Sequence, residues 1–200
     1  MGRSLRHALL AFRGKAVARR MPHVSVTEAS VPSESTSAVL HSISMTNPPT
    51  PEQCLSELGI TLPKTPSPGG NYVSAKRVGE IVYLAGAISL DSEGVISGTV
   101  GQDRTVQEGY SAARACALTQ LSVLKATLGS LDAVAEILTV NGYVNAVAGF
   151  PDSPAVINGA SDLLVSVFGE AGRHVRAALG VSALPKNALV ELQMSVRVNA

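Results

Sequence analysis

Two side chains near the C-terminal end, one cationic and one anionic, stand at a spacing that can do chemistry. Arg176 opens the stretch Arg176-Ala-Ala-Leu-Gly-Val-Ser-Ala-Leu-Pro185, and Glu191 lies six positions beyond that proline. Apolar side chains alternate with polar or small ones on both sides of Pro185, which predicts two strands joined by a Pro-containing turn. In the first strand Val175, Ala177, Leu179 and Val181 share one face, leaving Arg176, Ala178, Gly180 and Ser182 on the other. In the second, Val190, Leu192, Met194, Val196 and Val198 face a core, while Glu191, Gln193, Ser195 and Arg197 point away from it. An arginine among three small residues has room to receive a planar carboxylate through two parallel hydrogen bonds. A nearby carboxylate could then activate water against whatever that anion is attached to. The competing readings are a structural ion pair or an interface arginine for Arg176, and a counter-ion to it for Glu191.

These strands close a chain whose earlier segments read in order. Thr50-Pro51 with Gly59 brackets a short helix by cap, N-terminal proline and C-terminal glycine. The Ile60-to-Gly70 stretch is loop punctuation, since it lacks the Lys-Ser/Thr and helix of a phosphate-binding loop. Strands are expected at 72–77 and 81–88, with a third at 95–100. Thr105 and Glu108 form a capping box. Val106, Tyr110, Ala113, Ala117, Leu121, Leu124 and Leu128 follow at helical spacing, and Gly129 is the stop. A strand over 137–146 places Leu138, Val140, Val144 and Ala146 inward and Asn141, Tyr143 and Asn145 outward. Ser153-Pro154 opens a second helix that ends at Gly169 or Gly172. Strands, helix, strand, helix and strands predict an α+β fold, with two helices packed on one face of a mixed sheet.

An arginine, a Leu-Pro pair ending nine positions later and a glutamate six beyond that resemble the RidA/YjgF family, also called the endoribonuclease L-PSP family. The resemblance runs from about Gly69 to the C-terminus and includes Tyr72 and the strand-turn Val82-Tyr-Leu-Ala-Gly-Ala-Ile-Ser-Leu-Asp-Ser-Glu-Gly94. It implies the chorismate-mutase-like fold, a mixed six-stranded sheet assembled as a homotrimer, and sites in clefts between subunits. Carried over residue by residue, Arg176 clamps the substrate carboxylate, Glu191 positions or activates water, Tyr72 lines the cleft and Asn158 lies near the site. The implied reaction is hydrolysis of a reactive enamine or imine derived from an amino acid, releasing ammonia and a 2-oxo acid. It needs orientation, charge stabilisation and an activated water, with no metal or organic cofactor. Ala85 and Ala178 stand where active deaminases of this type have Ser and Cys, and the helix before Arg173 is longer. These departures resemble a divergent branch, so the alternative is a non-catalytic trimer that binds a small carboxylate. A ribonuclease or translation inhibitor ranks third.

Composition and charge bound these readings. Two hundred residues hold one domain with extensions. Only 16% of residues are charged, against about a quarter in ordinary domains, as expected if subunits cover part of the surface or if the chain is a monomer rich in small residues. Six of the sixteen basic residues fall within the first twenty positions, before any acid; the remainder carries ten basic and fifteen acidic residues, a net of −5. That balance argues against nucleic acid, whose phosphates are held by Lys and Arg. Residues 1–20 alternate basic and apolar residues in the manner of a mitochondrial-type presequence; the alternative is a cytoplasmic protein that starts at Met45. Their apolar run is too short for a membrane span. Residues 21–50, rich in Ser, Thr and Pro, read as a disordered linker to a domain at 51–200. Two cysteines cannot build a disulfide framework or a thiolate metal set. Cys116 is expected in the core. His174, the one histidine after residue 41, is a second-rank candidate sharing the Arg176 face.

Overall fold

The computed structural model describes residues 48–199, so the expected presequence and nearly all of the expected linker lie outside the described residues. Local chemistry sets the helix ends. In α1 (Pro51–Glu57) the Thr50 hydroxyl accepts the Gln53 N–H, while the Gln53 side chain accepts the Thr50 N–H. The same reciprocal bonding joins Thr105 and Glu108 at the start of α2 (Val106–Leu128), and Gly129 follows its end at φ 85°. α3 (Ser153–Phe168) begins with Pro154 in its first turn and ends at Gly169, φ 59°.

The six-stranded sheet contains β1 (Ala75–Val78), β2 (Ile81–Leu84), β3 (Ala87–Ile88), β6 (Val134–Asn145), β7 (Val175–Val181) and β8 (Val190–Val198). Its order is β1-β2-β8-β6-β7, with β3 also paired to β8. Every pairing is antiparallel except β6 with β7. The two strands flanking Pro185 are therefore not neighbours, because β6 lies between them.

Three strand expectations are corrected. Instead of a strand over 95–100, β4 (Leu90–Asp91) and β5 (Gly94–Val95) form a separate small hairpin. The strand expected over 81–88 is interrupted: Tyr83 pairs with Ser195 and Ala87 with Leu192, so one side carries an extra residue, a bulge at Ala85-Gly86. A second bulge at Leu138 reverses the alternation, burying Ile137 and leaving Leu138 half-buried. Asn145, expected on the outward face, is buried, and its amide donates to the Gly98 carbonyl and the Asn187 side-chain oxygen.

α2 and α3 cover one sheet face. Leu121, Leu124, Ile157, Leu164, Leu192 and Met194 form the centre of the core, each 0–2% exposed. Full burial of one such side chain is worth about 1.5–3 kcal/mol. The two helices approach closely because Gly159 has no side chain, and a Cβ there would collide with the Tyr110 carbonyl. Packed between sheet and α3, α2 buries a wider band than one stripe, including Ala112, Cys116 and Gln120, whereas Val106, Tyr110 and Leu128 are only half-buried. The opposite sheet face is open and carries exposed apolar groups, among them Val78, Tyr83, Val175 and Leu179. No described helix is long and apolar enough to cross a membrane.

Candidate functional site

Sheet register decides which candidate side chains can meet. Arg176 is paired with Val140, and Val140 with Met194, both core residues, so Arg176 leaves the sheet on the helix-covered side. Glu191 is paired with Tyr143, and Tyr143 with Leu179, so Glu191 leaves on the open side. Within one chain the two are on opposite faces, so Glu191 is not the counter-ion of the Arg176 in its own chain.

Around Arg176 the edge strand β7 meets the first half of α3. Its Nη1 donates to Asn158 Oδ1 at 2.9 Å and to Ser161 Oγ at 3.0 Å, and Nη2 reaches the Pro154 carbonyl at 3.4 Å. Asn158 and Ser161 are one helical turn apart, so both face the strand. The room expected beside the arginine is thus occupied by α3. Arg176 nonetheless stays exposed, and among the described residues it has no acidic partner. His174 also belongs here. Its Nε2 lies 3.0 Å from Ser161 Oγ and its Nδ1 2.7 Å from the Gly172 carbonyl. Burial of the ring, with a further push from the Arg176 charge, lowers its pKa.

The Glu191 carboxylate lies over Gly86, where any Cβ would collide with its Oε1. The bulge that brings Gly86 there is held from behind by Gln120, a buried α2 side chain whose Nε2 donates to the Ala85 carbonyl at 2.9 Å and the Leu192 carbonyl at 2.6 Å. Partial burial raises the Glu191 pKa, a direction that suits a general base working near neutral pH. No hydrogen-bond or ion-pair partner of Glu191 is present among the described residues.

The structure therefore joins Arg176 with Asn158 and leaves Glu191 and Tyr72 apart from them. Tyr72 is about half exposed in the loop before β1, where its hydroxyl accepts the Gly69 N–H at 3.1 Å. Sequence reasoning missed Ser161, Gln120 and the role of Gly86. A polar Gln inside an apolar helical band and a Gly inside a strand were the available signals. Cys116 is a core residue as expected, its thiol driven up in pKa by burial. Among the described residues no cluster of His, Cys, Asp and Glu could hold a metal ion. An open groove of about 760 Å³ runs along α1 and α2 past Leu55, Leu62 and Lys125 and includes none of the candidate residues.

Known proteins share this arrangement of elements. The chain is 44% identical over 147 residues to "Protein TCP17" of Trypanosoma cruzi, covering 72% of this chain and 92% of the relative. It is 28% identical over 139 residues to a 2-iminobutanoate/2-iminopropanoate deaminase of Dermatophagoides farinae, covering 68% and 93%. The crystal structure of Atu1372 from Agrobacterium tumefaciens, a protein of unknown function, superposes with a TM-score of 0.69 at 38% identity, covering 76% of this chain and 93% of that one. Residues 52–196 match the family described as "YjgF/chorismate_mutase-like, putative endoribonuclease". With the mixed six-stranded sheet and its helix-covered face, this match, which begins before Gly69, places the chain in the YjgF family with its chorismate-mutase-like fold.

Proposed function

We propose that this protein is a RidA-like hydrolytic deaminase, acting on enamines or imines derived from amino acids in a site that two copies share. The observation that carries this reading is the separation of an unpaired, fixed guanidinium and an unpaired carboxylate onto opposite faces of one sheet. Neither half is complete alone. Packing the open face of one copy, where Val175 and Leu179 are 71% and 53% exposed, against the exposed β7–α3 edge of another would bring Glu191 of one copy toward Arg176 of the other. A homotrimer is the assembly that the family resemblance implies.

In the shared site Arg176 receives the substrate carboxylate on its remaining N–H donors. Glu191 takes a proton from water as the water oxygen bonds to the imine carbon. Glu191 then delivers that proton to the imine nitrogen, giving a carbinolamine; its hydroxyl proton passes to the amine as the C–N bond breaks, and ammonia leaves with a 2-oxo acid. The named deaminase among the relatives supports this chemistry. The net charge of −5 outside the first twenty residues argues against the RNA chemistry in the family's description.

The test is ammonia release from freshly generated 2-iminopropanoate or 2-iminobutanoate by the full chain and its Arg176→Ala variant. Acceleration that disappears in the variant is expected; a folded protein that accelerates neither imine overturns the reading. A second reading, carboxylate binding without turnover, is favoured by Ala85 beside Glu191 and Ala178 beyond Arg176, where no hydroxyl or thiol assists. It predicts thermal stabilisation by 2-oxobutanoate with no acceleration. The basic N-terminal segment supports a mitochondrial location, testable by imaging a fusion of the full chain against one starting at Met45.

A further inference from the structure

We infer that Ser161 and His174 are positioning residues that hold the Arg176 guanidinium through a one-way hydrogen-bond relay. The donors determine its direction. Arginine only donates, so Ser161 Oγ accepts from Nη1. A carbonyl only accepts, so His174 Nδ1 carries its proton toward Gly172. The neutral ring then leaves Nε2 bare to accept the Ser161 hydroxyl proton. The relay runs from Arg176 through Ser161 and His174 to the Gly172 backbone, and every proton in it has an acceptor.

A second proton on His174 breaks this order. Nε2–H would then donate to Ser161 Oγ, which would face two cationic donors at once, and the hydroxyl proton would have to turn away. Arg176 is the charged group facing the ring. From α3, Asp162 is turned to the Tyr110 hydroxyl. In the turn preceding β7, Glu170 and Arg173 are paired with each other. No acid in the described residues compensates the second charge. Protonation therefore loosens the guanidinium from the Ser161 side while Asn158 retains it.

The role in ligand binding rests on the reading of Arg176 as a carboxylate clamp, but the relay can be tested without a ligand. The full chain would be labelled with ¹⁵N and the Arg176 guanidinium signals, identified by their absence in Arg176→Lys, followed from pH 7.5 to 5. Slow guanidinium rotation at pH 7.5 that becomes fast at pH 5 is expected in the unmodified chain. Ser161→Ala should rotate fast at both values. His174→Gln should rotate slowly at both, because the amide places a non-titrating oxygen near the Nε2 position. Ser161→Ala behaving like the unmodified chain at pH 7.5, or His174→Gln keeping the pH dependence, overturns the inference. In parallel, 2-oxobutanoate affinity should weaken roughly three- to tenfold in Ser161→Ala, the loss of one hydrogen bond. If 2-oxobutanoate binds none of the proteins, the clamp reading fails and the rotation data still decide the relay.

Discussion

The two halves of the candidate site are built by opposite means. The Arg176 half is a filled one: α3 supplies Asn158 and Ser161, which occupy the guanidinium's donors, and the turn before β7 supplies His174, which stands behind Ser161. The Glu191 half is an emptied one, where a bulge, a missing side chain at Gly86 and a small one at Ala85 leave a carboxylate without a partner. A guanidinium keeps its charge in almost any surroundings, so it can be tied down and still bind an anion. A carboxylate meant to take a proton must be left unsatisfied, since each hydrogen bond to its charged form would lower its pKa. Holding a cation and poising a base thus need different architectures, and the sheet keeps them on separate faces.

Breaking the base should have the largest effect. Glu191→Gln is expected to lower turnover by about 10²- to 10⁴-fold while 2-oxo acid binding, measured by calorimetry, changes little. Arg176→Ala should instead cost roughly 1.5–3 kcal/mol of carboxylate binding; equal loss of binding in both variants would remove the distinction between the halves. Mixing these two inactive variants after partial unfolding and refolding sharpens the comparison further. If each site draws Arg176 and Glu191 from different copies, roughly a quarter of the sites regain both groups by random assembly. A site contained in one chain would regain none.

The support behind the Glu191 half can be removed separately. Gln120→Leu removes the donor from the buried Leu192 carbonyl and the part-buried Ala85 carbonyl and should cost about 1–3 kcal/mol in chemical denaturation, with turnover falling as the Ala85-Gly86 bulge relaxes.

The smallest effects are in the pH dependence of stability, and they have opposite signs. His174 has a lowered folded pKa, so its contribution is present above about pH 6.5 and is lost as pH falls through the folded value. Glu191 has a raised one, so its contribution is present below about pH 4.3 and is lost as pH rises through the folded value. Thermal melts should therefore show His174→Gln flattening the acid side of the profile. Glu191→Gln should melt slightly higher than the unmodified chain at pH 7.

Much of this molecule is legible in short stretches. The three helix starts follow from Thr50-Pro51, from Thr105 with Glu108, a cap satisfied three positions away, and from Pro154, whose fixed φ suits a first turn. The alternation in 190–198 correctly separates Leu192 and Met194 from Glu191, since a strand's period is two whatever it pairs with. Leu138 shows where that logic ends: the bulge opposite β8 shifts the period, and nothing within the 137–146 stretch announces it. Asn145 likewise has the outward position its period assigns but is buried by the Gly98 and Asn187 segments.

By itself the sequence determined the helices and their ends, the inward and outward faces of the last strand, and, by resemblance, the placement of Asn158 near Arg176. Only the tertiary structure decided that β6 separates β7 from β8, that Arg176 and Glu191 leave the sheet on opposite sides, and that Ser161 and His174 stand behind the arginine. Caps and alternation are properties of neighbouring residues, whereas strand order, bulges and the relay depend on which distant segments share a core, and no local pattern encodes that choice.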